Sequence, residues 1–385
     1  MKRLLPLCLC LALFCGCSLP ISNDYLSVRE HYDPYTYKEE TVEETPQLQI
    51  VDQYYDMRNA FTKYIKEGLE TVEVACRSYK GDLEKDIVKL YEFFTKSHAI
   101  ISYLTEKIEF TILPVGAENG ANAAASDDRI VKMEVSYRRP ADEYIETYRE
   151  NTVGINKLKE ALRSFSPSLT IQVSGFTDED VAETLNIYCT ENPELFPEFP
   201  RLDIQLFPDE GNIRVIEAHF KYSSDNSTGQ TLVEKRDALG TELEMFISSV
   251  HARARRLTCP SISNILSEGC EELKGSFNYE EVPNASVYSL LHSGLGNSRC
   301  FAALTYHICR EWTILSTVVH GTKDGEDYYW CIVRTGEGYR HVDMRTAVAE
   351  KTSLSFLSDE EMEGYEWDRA KYPPCVGTQE PPAEA

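Results

Sequence analysis

Gly294-Leu-Gly-Asn-Ser-Arg-Cys300 runs without a break into Phe301-Ala-Ala-Leu-Thr-Tyr-His-Ile-Cys-Arg310, and this stretch decides how the rest of the chain is read. A glycine-rich turn followed by an apolar segment of helical spacing puts Cys300 at the start of a helix. There the unpaired amides and the dipole favour a thiolate. Beyond the helix the chain takes on the period of strands: Ile314 to Val319, a His320-Gly321 turn, Tyr328 to Val333, a hairpin turn at Gly336-Glu-Gly338, then Tyr339-Arg-His-Val-Asp343. The expectation is one cysteine-bearing helix packed on an antiparallel sheet.

That order resembles the transglutaminase-like family of papain-fold cysteine domains. The family pattern is a glycine-rich turn into a helix-start cysteine, a strand ending in glycine, His-x-Trp-Asn-x-Val, a hairpin, and a strand ending in Val-Asp. Here the middle motif reads Tyr328-Tyr-Trp-Cys-Ile-Val and the last His341-Val-Asp343. Phe356-Leu-Ser-Asp-Glu-Glu-Met, Tyr365-Glu-Trp-Asp-Arg and Tyr372-Pro-Pro-Cys also look like the tails of bacterial members, so the resemblance spans about residues 260 to 375. It implies a nucleophile at Cys300 and an orienting carboxylate at Asp343. The family's histidine position is Tyr328.

A tyrosine hydroxyl, with a reference pKa of about 10, is a donor at neutral pH and not a base. Losing the acid/base partner removes roughly 10²- to 10⁴-fold of rate. Three histidines are substitutes on paper. His341 shares a strand with Asp343 and is the best of them; His307 lies two turns along the cysteine helix, and His320 ends a neighbouring strand. Each residue also has a plain structural reading. Cys300 is a small side chain in a tight helix start, Trp330 is core, and Asp343 caps its strand and accepts from Tyr328.

Working towards the N-terminus, a pattern recurs. Thr71-Val-Glu-Val-Ala-Cys76 alternates as a strand, Asp82 to Ser97 is helical, and Ile108 to Leu113 and Ile130 to Tyr137 are strands. The same order returns in Leu169 to Val173, a helix from Asp178 to Thr190 capped by Thr177 or Asp178, and strands Arg201 to Phe207 and Ile213 to Tyr222. Helices are expected at Met57 to Glu67, Tyr144 to Phe165 and Leu232 to Arg255. The fold class is therefore α+β. Two repeated small α+β modules, residues 51–165 and 166–256, precede the transglutaminase-like domain at 257–375, with a loose tail at 376–385.

The first residues read as a secretory signal peptide, with Lys2 and Arg3 before an apolar run from Leu4 to Phe14. Leu13-Phe14-Cys15-Gly16-Cys17 resembles a bacterial lipobox, which implies lipidation at Cys17 and a place on the extracellular face of the cell membrane. The alternative is a plain secreted protein cleaved nearby. Residues 18–50, acidic and Tyr-rich, read as a stalk. The formal net charge of −24 over 385 residues argues against nucleic acid and against unassisted binding to anionic lipid. The basic cluster His251-Ala-Arg-Ala-Arg-Arg256 sits at a helix end, where cations complement the dipole.

Of 12 cysteines, eight lie beyond the signal and anchor. None shows the spacing of a zinc site, and no cofactor is implied. Cys76 and Cys331 read as buried thiols, and Cys259 and Cys270 could close a short loop. Two functions are carried forward: a degenerate domain that binds peptide, protein or cell-wall material without turnover, and an active Cys300 acyl-transfer enzyme (peptidase, amidase or cross-linking) with a displaced base. The missing histidine favours the first.

Overall fold

The computed structural model describes residues 48–114, 128–176, 180–222, 229–257, 261–276 and 279–377. Cys17, the rest of the expected signal and stalk up to residue 47, Thr177, Asp178, Cys259 and the tail beyond 377 lie outside them. Among the described residues no helix is long and apolar enough to cross a membrane.

The first sheet is built from β1 (Gln49–Val51), β2 (Thr71–Cys76), β3 (Thr105–Pro114) and β4 (Arg129–Tyr137) in the order β1-β2-β4-β3. β1 is parallel to β2 and the other pairs are antiparallel. Alternation buries Val72, Val74 and Cys76 from β2 and Val131, Met133 and Val135 from β4. They meet Met57, Phe61 and Ile65 of α1 (Tyr54–Lys66) and Leu90 of α2 (Leu83–Glu92). Asp82 starts α2 by accepting the Lys85 amide, and a short α3 (Ala99–Leu104) leads into β3.

The second sheet has β5 (Glu146–Tyr148), β6 (Ser168–Ser174), β7 (Arg201–Phe207) and β8 (Ile213–Lys221) in the order β5-β6-β8-β7, with the same senses of pairing. Its core lies against α4 (Asn151–Arg163) and α5 (Val181–Glu191). β8 is buried on both faces. Ile216, Ala218 and Phe220 point to α4 and α5, while Val215 meets Ala99, Tyr103 and Leu104 of α3. Beside that seam Arg139 clamps Glu217 with both oxygens engaged at 2.7 and 2.9 Å. The first unit thus docks on the outer face of the second sheet.

Three expectations need correcting here. Residues 49 and 50, assigned to the stalk, belong to β1, because Gln49 and Ile50 pair with Val74 and Ala75. The helix expected from Tyr144 starts only at Asn151, since Glu146 to Tyr148 extends the second sheet. The cap of α5 is Asp180, which accepts the Glu183 amide at 3.0 Å.

The C-terminal part opens with α6 (Gly229–Ala254) and α7 (Ile262–Ser276), followed by β9 (Glu280–Glu281), α8 (Val287–Ser293) and β10 (Leu295–Gly296). Then come α9 (Ser298–Glu311), β11 (Ser316–Lys323), β12 (Glu326–Thr335), β13 (Gly338–Val342), α10 (Met344–Ala349) and β14 (Tyr365–Glu366). The sheet order is β13-β12-β11-β14, antiparallel throughout. One face, with Val318, Tyr329, Cys331, Val333 and Val342, packs on α9. The other, with Val319, Tyr328, Trp330 and Ile332, is covered by Met362 and Cys375 of the final segment.

His320-Gly321 is not a turn. The strand runs on to Lys323 and reverses at Asp324-Gly325, whose φ of 53° and 85° is the geometry a two-residue hairpin demands. Gly321 serves another purpose: a Cβ there would collide with the Glu366 carbonyl as β14 crosses.

Candidate functional site

Asn297 caps α9 by accepting the Cys300 amide at 3.1 Å, so Cys300 sits in the first turn, as expected. Ser298 ties that turn to the sheet by accepting the Tyr329 amide at 3.2 Å. The thiol itself is wholly buried, 0% exposed. Burial pushes its pKa up to about 12, outweighing the nearby amides of Asn297 and Cys300 and the charge of Arg299. Desolvation thus opposes the thiolate that the helix start favours.

Tyr328 and Asp343 do meet. β12 and β13 are in register, and Asp343, one residue past β13, caps α10 by accepting the Thr346 amide at 3.0 Å. Its Oδ2 accepts hydroxyls from Tyr328 at 2.9 Å, Tyr365 at 2.5 Å and Thr346 at 2.5 Å. Lys323 Nζ lies 3.5 Å from the same oxygen and above the rings of Tyr328 and Tyr365. The carboxylate is saturated by donors. Burial first, and then the Asp343 charge, raise the pKa of the Tyr328 hydroxyl, so it stays protonated.

Among the described residues no hydrogen bond joins Cys300 to Tyr328, whose hydroxyl meets Asp343, Thr346 and Arg345. Arg345 lies over the Tyr328 ring with a guanidinium nitrogen 3.5 Å from its hydroxyl. Arg345 also pairs with Glu281 of β9. A cation bound to a carboxylate thus stands over the Tyr328 ring.

Each of the three substitute histidines has polar partners of its own. His341 accepts from Trp330 Nε1 at 2.8 Å through Nδ1, which leaves its proton on Nε2, donated to Asp359 at 2.8 Å. Both nitrogens are spent, and burial lowers its pKa despite Asp359. His307 contacts Arg310 at 2.8 Å. His320 lies between Glu183 at 2.6 Å and Asp327 at 2.5 Å.

His341, Asp359 and Cys375 bring possible ligand atoms within 4.8 Å of one another. The Trp330 donor argues against a metal there. It forces the Nε2 proton towards Asp359, so the group is a hydrogen-bond chain, continued by the Cys375 amide on Asp359 at 3.2 Å. Seven cysteines are described, Cys270 among them, and all are free and buried.

Lys323, Arg345, Thr346, Tyr365 and Tyr279 were not assigned to the site from sequence. Thr346 carries a usable sign, a hydroxyl three residues after a capping aspartate. Tyr365 lies in a tail motif with no role attached, and nothing local marks the other three.

No family model and no curated protein matches the chain. Among solved structures, a crystal structure of a TGase is 10% identical, covering 52% of this chain and 59% of that one, with a TM-score of 0.25. This chain thus spans less than two thirds of the length of that TGase. A candidate cysteine protease from Cytophaga hutchinsonii is 11% identical, covering 43% and 70%, with a TM-score of 0.24. Likeness this loose carries no argument, and function rests on the geometry of Cys300, Tyr328 and Asp343.

Proposed function

We propose that this is a non-catalytic relative of the transglutaminase-like domains, held by a lipid at Cys17 on the extracellular face of a bacterial membrane. It binds peptide, protein or cell-wall material without turning it over. The two N-terminal units, read as copies of one module, act as spacer or binding elements. The observation that carries the reading is the state of Cys300: fully buried, with a thiol pKa pushed up to about 12 and no hydrogen bond to a histidine among the described residues. Nucleophilic catalysis needs a thiolate and a base within hydrogen-bond reach, and a buried thiol of raised pKa is poorly suited to it. The alternative, an active acyl-transfer enzyme, draws no support from any of the three histidines.

The test is alkylation of the folded chain with iodoacetamide between pH 6 and 9, mapped by peptide mass. Cys300 is expected to stay unmodified until the protein is unfolded. Rapid labelling of Cys300 at pH 7 in the folded protein would sink the proposal.

A further inference from the structure

One cleft beside the cysteine turn has a charge at odds with the rest of the chain. It measures about 420 Å3, within the roughly 300–1,000 Å3 range of small-ligand sites. Phe199, Pro200, Pro283 and Ala285 form apolar walls, and Arg201, Lys221 and Arg299 supply cations. The one lining carboxylate, Glu198, is already paired with Lys235.

The cations are poorly compensated. Arg201 and Lys221 are cross-strand partners on β7 and β8, an arrangement that places like charges opposite each other at a cost. Lys221 has an exposed contact with Asp203 at 3.4 Å, and Arg201 has no partner among the described residues. Arg299 is held by neutral groups, donating to Thr190 Oγ1 at 2.9 Å and the Asn186 carbonyl at 3.0 Å, and it packs over the Phe199 ring. Its guanidinium is thereby fixed in direction without being neutralised. In a chain of net charge −24, three cations around one concave, half-apolar surface mark a place for an anion.

We propose that this cleft is the binding subsite for the carboxylate end of a peptide. Arg201 and Lys221 receive the carboxylate at the mouth, with Arg299 adding a fixed positive charge. The proline- and phenylalanine-lined wall takes the neighbouring side chain. A peptide end suits the cleft better than phosphate, because half its lining is apolar and its cations come from three separate elements. The assignment rests on the non-catalytic reading, since it gives the domain a ligand to hold rather than a bond to break.

The probe is acetyl-Ala-Ala-Ala with a free C-terminal carboxylate, titrated calorimetrically into the full chain, against the same peptide as its C-terminal amide. The acid is expected to bind at least about tenfold more tightly than the amide, and the R201A/K221A double variant to lose at least about tenfold, the size of a charged hydrogen bond or more. Both residues are exposed, so an unchanged melting temperature keeps folding out of the result. Equal binding of acid and amide, unchanged binding by the double variant, or no binding at all overturns the subsite. Inorganic phosphate displacing the acid at equal concentration overturns it too. Mass spectrometry of the recovered peptide separates the two readings: a cleaved or transferred peptide refutes the non-catalytic proposal, whatever the affinities show.

Discussion

At Tyr328 the obvious experiment is to introduce a histidine. Tyr328→His is expected to give no measurable acyl transfer to a peptide amide. The new imidazole would face Asp343, but Cys300 would remain buried and the Arg345–Glu281 pair would remain in place. Thiol-dependent turnover in that variant would show that a single substitution inactivated the site. Asp343 matters more for stability. Its carboxylate serves as the cap of α10 and as acceptor for three hydroxyls and the Lys323 charge. Asp343→Ala strips all of these at once and is expected to cost about 2–4 kcal/mol in denaturant unfolding. A loss below about 0.5 kcal/mol would mean the hydroxyls repair the gap among themselves or with water.

Among the elements, β11 and its crossing strand carry the sharpest prediction. Gly321→Ala places a methyl against the Glu366 carbonyl and the Trp330 ring, neither of which is the free end of a flexible chain. Overpacking of this kind typically costs 1–3 kcal/mol, so a loss of about that size is expected. Glycine-to-alanine exchange at Gly325, in the hairpin turn, tests backbone instead of space: nothing lies within 4 Å of an added Cβ, and the penalty comes from a φ of 85°. Equal tolerance of both changes would contradict the close crossing of β14.

These two glycines also show why the hairpin was readable and its details were not. Tyr328 to Val333 is an unbroken apolar run, buried on both faces, and the hairpin turn after it marks a strand pair from local pattern alone. His320-Gly321 looks like a turn because glycine usually punctuates, whereas the true reversal, Asp324-Gly325, carries the stronger two-residue signal. The burial of Cys300 and the arrival of Tyr365 at Asp343 depend on β9, α7 and the final segment packing from a distance. No local spacing reports such contacts, so residues were legible as candidates while their chemistry was not.

For the molecule as a whole, His320 joins the second unit to the C-terminal sheet. It stands on β11, its ring nitrogens face the carboxylates of Glu183 of α5 at 2.6 Å and Asp327 of β12 at 2.5 Å, and it stacks on Tyr329 at 4.2 Å; its backbone amide donates to the Tyr372 hydroxyl. Burial disfavours the charged ring, but the hydrogen bonds and charges of Glu183 and Asp327 outweigh it and raise the pKa above 6.5. A raised folded value means that the unfolded state releases the proton first. The stability this contributes is fully present below about pH 6.5 and is lost as pH climbs through the folded value. Denaturant midpoints for the natural chain should therefore fall between pH 6 and pH 9 by more than those of His320→Gln, which keeps hydrogen-bonding capacity and carries no charge at any pH. The difference between the two proteins isolates His320 from other titrations. Parallel pH profiles would mean that the ring titrates alike in the folded and unfolded chain, so that Glu183 and Asp327 do not favour its charged form.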